Sequence, residues 1–224
     1  MMGRRLVPLI LLGAGWAVYS CADIASPSRS EAYEWRRIEP SATGVGVDTL
    51  AFHWSRAAQP VKVWAEDAFD LPLHVQHGIA RWEAAFLYRE FQATLVADSN
   101  IADVIVMTGI PPKAGFGIMR LESLSAPECQ GGTDVQLTPD ETQIQLPFRV
   151  FVDPRVDPLA PGFDQCMDLT TTHELGHAFG IFNHSPRPTD IMFADPTVTE
   201  LSAGDRATAE VAYHTEPTLT VTPR

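Results

Sequence analysis

His173-Glu174-Leu175-Gly176-His177-Ala178-Phe179-Gly180 is the stretch on which the reading of this 224-residue chain turns. Two histidines four apart on a helix project their imidazoles from one face, about a turn apart. That spacing can fill two corners of a zinc tetrahedron and set Glu174 beside an open corner, where a carboxylate takes the proton of an attacking water. Five residues alone also describe a pair of surface histidines on an ordinary helix. The continuation weighs against that reading. Gly180 lies three residues past His177, where a helix can end in the left-handed conformation without steric cost. The chain can then turn back and offer a third ligand, and His184 follows within four residues. Ile191-Met192 comes next, in a loop opened by Ser185-Pro186-Arg187-Pro188.

Outward from the motif, periodicity gives the element order. Val61-Lys62-Val63-Trp64-Ala65 alternates as a half-buried strand does. Val75, Ile79, Trp82 and Phe86 form one face of a helix that follows Pro72. Strands are expected at Thr94–Val96, Asp103–Met107, Thr133–Leu137 and Gln143–Val152, with Pro147 marking a bulge or an edge. Residues 109–132, rich in proline and glycine, read as a long surface excursion. The motif helix is expected over Asp164–Phe179. Ser202-Ala203-Gly204-Asp205 forms a capping box ahead of a last helix, Arg206–Tyr213. The expected class is α+β, a mixed sheet with a long helix and the motif helix, then a small C-terminal part with a final helix.

The N-terminus reads as an export signal over residues 1–20: Arg4 and Arg5 precede an apolar stretch, Leu6 to Val18, too short to span a bilayer comfortably. Val18-Tyr19-Ser20-Cys21 resembles a bacterial lipobox, which implies lipidation at Cys21 and, with Ala22 next, an outer-membrane or cell-surface lipoprotein; a secreted or periplasmic form is the alternative. Residues 21–59 lack periodicity and read as a tether, with an early strand at Thr49–Trp54; the compact domain is expected over 60–216 and a tail over 217–224. Lipid on Cys21 leaves Cys129 and Cys166, which an oxidising compartment would join. The net charge of −12 supplies no basic stripe for phosphate, so nucleic acid is not an expected partner.

Together, His173 to Gly180, His184-Ser185 and Met192 resemble the metzincin zinc peptidases, in their matrixin-like branch as found in exported bacterial proteins. The resemblance implies zinc ligands at His173, His177 and His184, a general base at Glu174, and a methionine turn at Met192 beneath the metal. It further implies a twisted sheet whose rim strand pairs with an extended protein or peptide substrate. The family spacing puts its third ligand at Asn183, one residue before His184. A neutral amide oxygen is a poor zinc donor beside imidazole, so a one-residue bulge that delivers His184 is expected. The implied activity is a monomeric metalloendopeptidase acting on extracytoplasmic proteins, touching the membrane only through its lipid. A catalytically silent envelope-binding lipoprotein of the same fold is the alternative, and Glu174 is the residue such a binder would not need. Asp153, Asp157, Asp164 and Asp168 raise calcium as a second ion, although their spacing matches no calcium loop. His53, His74, His77 and His214 are expected at the surface or at helix ends, and Asp168 as a solvated carboxylate.

Overall fold

The computed structural model describes residues 27, 29–41, 45–123 and 129–222. The export signal and the lipidation candidate Cys21 lie outside the described residues. Among those described, no helix is long and apolar enough to cross a membrane.

The chain is α+β. A two-stranded antiparallel ribbon, β1 (Arg37–Pro40) and β2 (Val47–Leu50), precedes a seven-stranded mixed sheet. The sheet comprises β3 (Val61–Ala65), β4 (Ala93–Leu95), β5 (Val104–Thr108), β6 (Ile118–Ser123), β7 (Cys129–Leu137), β8 (Gln143–Pro154) and β9 (Thr220–Val221). Its order is β4-β3-β5-β8-β7-β6, with β9 beside the start of β8. β4, β3, β5 and β8 run parallel, as crossover connections require, whereas β8-β7-β6 is antiparallel. Helices α1 (Leu71–Glu83) and α2 (Phe163–Ala178) pack on each other and on the sheet, and α3 (Ala203–Tyr213) closes the domain.

Local chemistry explains these elements. On α1, Leu71, Val75, Ile79 and Trp82 are buried at the three-and-four spacing of an amphipathic helix. Gly78 lets α2 approach, since a Cβ there would lie 2.8 Å from Leu175 Cδ1. Val104 and Val106 on β5, and Phe148, Val150 and Val152 on β8, are wholly buried and alternate along their strands, as residues on one covered face of a sheet do, while Arg149, between Phe148 and Val150, is exposed. The capping box of α3 forms as its sequence states, with Ser202 and Asp205 each accepting the other's backbone N–H.

Three expectations need correction. First, the stretch 109–132 is not all surface excursion: β6 and the first residues of β7 lie within it. They pair in register, with Arg120 opposite Asp134, and Arg120 Nε and Nη2 reach the two carboxylate oxygens at 2.6 and 2.8 Å. Second, Pro147 marks the bulge and not the edge, because β8 is internal to the sheet. It falls between the part of β8 that pairs β5, from Phe148 onward, and the part that pairs β9, opposite a register shift between Asp134 and Gln136.

Third, residues 33–54 are no tether. Tyr33, Trp35, Leu50, Phe52 and Trp54 are buried in the main core. Phe52 stacks on Phe182 and tilts against Phe148, and Trp54 Nε1 donates to the Ala178 carbonyl at 3.0 Å. These residues lack periodicity because their partners lie far away in sequence, Phe148 for both Phe52 and Trp54, Phe182 for Phe52 and Ala178 for Trp54. Truncating a buried Phe or Trp costs about 3–5 kcal/mol against a total stability of about 5–15 kcal/mol. A chain begun at Pro60 is therefore expected to show no cooperative unfolding transition by circular dichroism, whereas one begun at Pro27 melts cooperatively. Cooperative melting of the shorter chain would mean that this aromatic segment is dispensable.

Candidate metal centre

The motif helix delivers His173 and His177, both fully buried, and a turn after it delivers His184, which keeps some exposed surface. The turn is built as the glycine foretells. Gly180 sits at φ +115°, Gly180 N–H donates to the His177 carbonyl at 3.1 Å, and Ile181 N–H donates to the Gly176 carbonyl at 3.0 Å. This is the Schellman pairing that ends a helix at a left-handed residue. Gly180 is also needed for space, since a Cβ would collide with the carbonyl oxygen of Phe52. The N–H groups of Phe182 and Asn183 then donate to the Trp35 carbonyl at 2.7 and 2.8 Å. Asn183 Oδ1 accepts the His184 N–H at 3.0 Å, so the asparagine shapes the turn and the imidazole of His184 joins the other two.

The three rings face one another at centroid separations of 4.8, 5.2 and 5.0 Å, and their donor atoms lie within 4.8 Å of each other. His173 Nδ1 lies 2.7 Å from the Ile191 carbonyl and His177 Nδ1 lies 2.6 Å from the Ile181 carbonyl. A carbonyl only accepts, so both Nδ1 atoms carry the proton and both Nε2 atoms present a lone pair. His173 Nε2 is buried without a hydrogen-bond partner among the described residues, and His177 Nε2 stands 3.2 Å from His184 Nε2. That separation matches the ~3.3 Å edge of a tetrahedron with metal–nitrogen bonds of about 2.0 Å. Buried lone pairs converging on one point fit a cation and little else.

Electrostatics keeps the rings in that form. Burial, then the neighbouring His184, holds His173 down to about 3; burial and the Arg37 guanidinium hold His184 down to about 4. Burial and its two neighbouring histidines also hold His177 well below the usual histidine value. All three are neutral at pH 7, the state a metal ligand needs.

Several residues that support the centre carry no motif of their own. Asp205, at the start of α3, accepts the Ile191 N–H at 2.9 Å and thereby fixes the carbonyl that orients His173. The Tyr33 hydroxyl donates to the same carboxylate at 3.0 Å. Burial raises the Asp205 pKa despite these donors. Asp190 gathers Ser185, Ser202 and Arg187 around the same loop. Met192 is fully buried and lies directly on Gly176, where a Cβ would strike both its sulfur and the Trp82 ring. The capping box announced Asp205 and the family resemblance announced Met192; Tyr33 reaches Asp205 across 172 positions of sequence and carried no local signal.

Glu174 projects beneath β7 and is fully buried. Thr133 Oγ1 lies 2.9 Å from Glu174 Oε2 and 3.0 Å from the Glu174 carbonyl oxygen, with one proton to share between them. A Cβ at Gly131 would lie 2.5 Å from Glu174 Oε1, so glycine there is what lets the strand cross the carboxylate. A disulfide from Cys129, at the head of β7, to Cys166 on α2 ties strand to helix with Cα atoms 5.6 Å apart. Closing 37 residues of chain in this way constrains the unfolded state by about 4 kcal/mol on chain-entropy reasoning. Asp153, Asp157 and Asp164 belong to no metal-capable group among the described residues. In comparisons with known proteins, no protein-family model matches the chain and no curated protein matches it by sequence.

The depressed histidines give a pH prediction for the metal-stripped protein. Between about pH 6.5 and 4 the unfolded chain binds protons that the folded site refuses, so stability rises with pH through that window. The melting temperature of the stripped chain should fall steadily from pH 6.5 to 4.5, and less steeply in His184→Gln. A flat profile for the unsubstituted chain would contradict the buried, neutral triad.

Proposed function

We propose that the chain is a zinc-dependent endopeptidase of the metzincin type. The observation that carries this reading is the convergence of two buried, Nδ1-protonated histidines of one helix with His184, beside Glu174 on the same helix. Three imidazoles, with no fourth protein donor grouped with them among the described residues, are the set a catalytic zinc uses, with its remaining position open to solvent or substrate. Zinc held there would supply a Lewis acid able to bring the pKa of water at the site to about 7.

The chain's own groups do the rest. The Ile191 and Ile181 carbonyls orient the two buried imidazoles and hold their tautomers. Glu174 takes the proton of the attacking water and returns it to the departing amine, work that contributes about 10²–10⁴-fold. Thr133 holds the carboxylate until water arrives. His184, the one ligand with exposed surface, marks the side from which substrate approaches. β6, the last strand on this side of the sheet, offers its outer edge to an extended peptide. The exported, lipid-anchored location and the monomeric state belong to the same proposal and rest on the sequence alone.

One observation favours the silent-binder alternative: Glu174 is wholly covered by β7, with Thr133 already on its carboxylate. Casein hydrolysis and zinc content, measured together, decide between the two. Glu174→Gln should lower turnover by about 10²–10⁴-fold with zinc retained, and His177→Ala should lose one zinc equivalent together with activity. Zinc bound by the unsubstituted chain with no cleavage of any unfolded protein would favour the binder. No loss of zinc in His177→Ala would overturn the centre itself.

A further inference from the structure

A second group of metal-ligating side chains lies between α1 and α2, apart from the triad. His74 and His77 are three residues apart on α1 and face Asp168 on α2. His74 is buried at 5 % exposure, against the surface position its sequence context implied, and Asp168 is bonded on every side where a solvated carboxylate was expected. Both Nδ1 atoms point at one carboxylate oxygen: His74 Nδ1 is 3.3 Å and His77 Nδ1 3.1 Å from Asp168 Oδ1. Arg81 Nη2 takes the other oxygen, Oδ2, at 2.6 Å, leaving Oδ1 to the imidazoles. The three donor atoms lie within 4.8 Å of one another.

We infer that His74, His77 and Asp168 form a second zinc site, one that ties α1 to α2. The two Nδ1–Oδ1 separations are close to the ~3.3 Å donor–donor edge of a tetrahedral zinc with bonds of about 2.0 Å. Each imidazole gives up only its Nδ1 proton to the other ring nitrogen. Two imidazoles and one carboxylate suit zinc and exclude calcium and magnesium, which want oxygen donors throughout. His77 is half exposed, which gives the ion an entry path and leaves water for its fourth position. Arg81 completes the Asp168 carboxylate and reaches Thr172 Oγ1 at 3.2 Å, and Trp82 Nε1 donates to the Thr172 carbonyl at 2.9 Å. The ion would thus pin α1 to the stretch of α2 that immediately precedes His173.

The inference stands apart from the endopeptidase reading and is tested separately from it. The full exported chain, with His77→Ala, His177→Ala and the double variant, is equilibrated in buffered zinc, and zinc per chain is measured by mass spectrometry. Two ions are expected in the unsubstituted chain, one in each single variant and none in the double. As a readout independent of activity, zinc should raise the melting temperature of His177→Ala and leave that of the double variant unchanged. His77 is half exposed, so its replacement leaves the fold intact. Full zinc content in His77→Ala, or the same melting response to zinc in both variants, overturns the second site and leaves the first standing.

Discussion

The hydrogen bond from His173 Nδ1 to the Ile191 carbonyl, with its counterpart from His177 to Ile181, is the constraint on which the centre depends. It fixes which nitrogen carries the proton, and so which one faces inward. Both carbonyls belong to the irregular chain after the motif helix, so that chain has to be as rigid as the helix. Much of the molecule beyond the sheet serves that end. Gly180 and the Trp35 carbonyl shape the first turn, while Asp205, Asp190 and Tyr33 hold the second. Burial then does the electrostatic work, because desolvation is the largest cause of the lowered pKa at each of the three imidazoles.

The other half of the site is a close approach between β7 and α2. Gly131 over the Glu174 carboxylate makes it possible, as Gly78 against Leu175 and Gly176 beneath Met192 and Trp82 do for the packing of α1 and the Met192 loop on α2. The Cys129–Cys166 bridge keeps the strand seated on the helix. A carboxylate held this tightly by Thr133 is both protected and positioned. On the peptidase reading proposed above, that same contact is what catalysis would have to loosen, because Thr133 Oγ1 already occupies Glu174 Oε2 at 2.9 Å.

Much of this was legible in the sequence where periodicity or spacing carries the signal. Val61–Ala65 is a strand with the bounds its alternation gives, the buried face of α1 includes Val75, Ile79 and Trp82, and the cap of α3 is Ser202 with Asp205. His173, His177 and His184 could be singled out because helical geometry and a glycine stop are local facts. What could not be read rests on contacts between residues far apart. Trp35 and Phe52 lie in aperiodic chain and are buried by residues near 180. β6 is hidden in a stretch rich in proline and glycine and is defined by its pairing with β7. His74 looked like a polar-face residue because its partner, Asp168, lies 94 positions on.

Whether His173, His177 and His184 together form the open, nitrogen-ligated zinc centre proposed above is read out by X-ray absorption at the zinc edge, on a chain carrying His77→Ala so that only this centre contributes. Three imidazole nitrogens and one further light-atom donor at about 2.0 Å, in four-fold coordination, are expected from that proposal. A shell with sulfur in it, fewer than three imidazoles, or no bound zinc in a folded chain would contradict it.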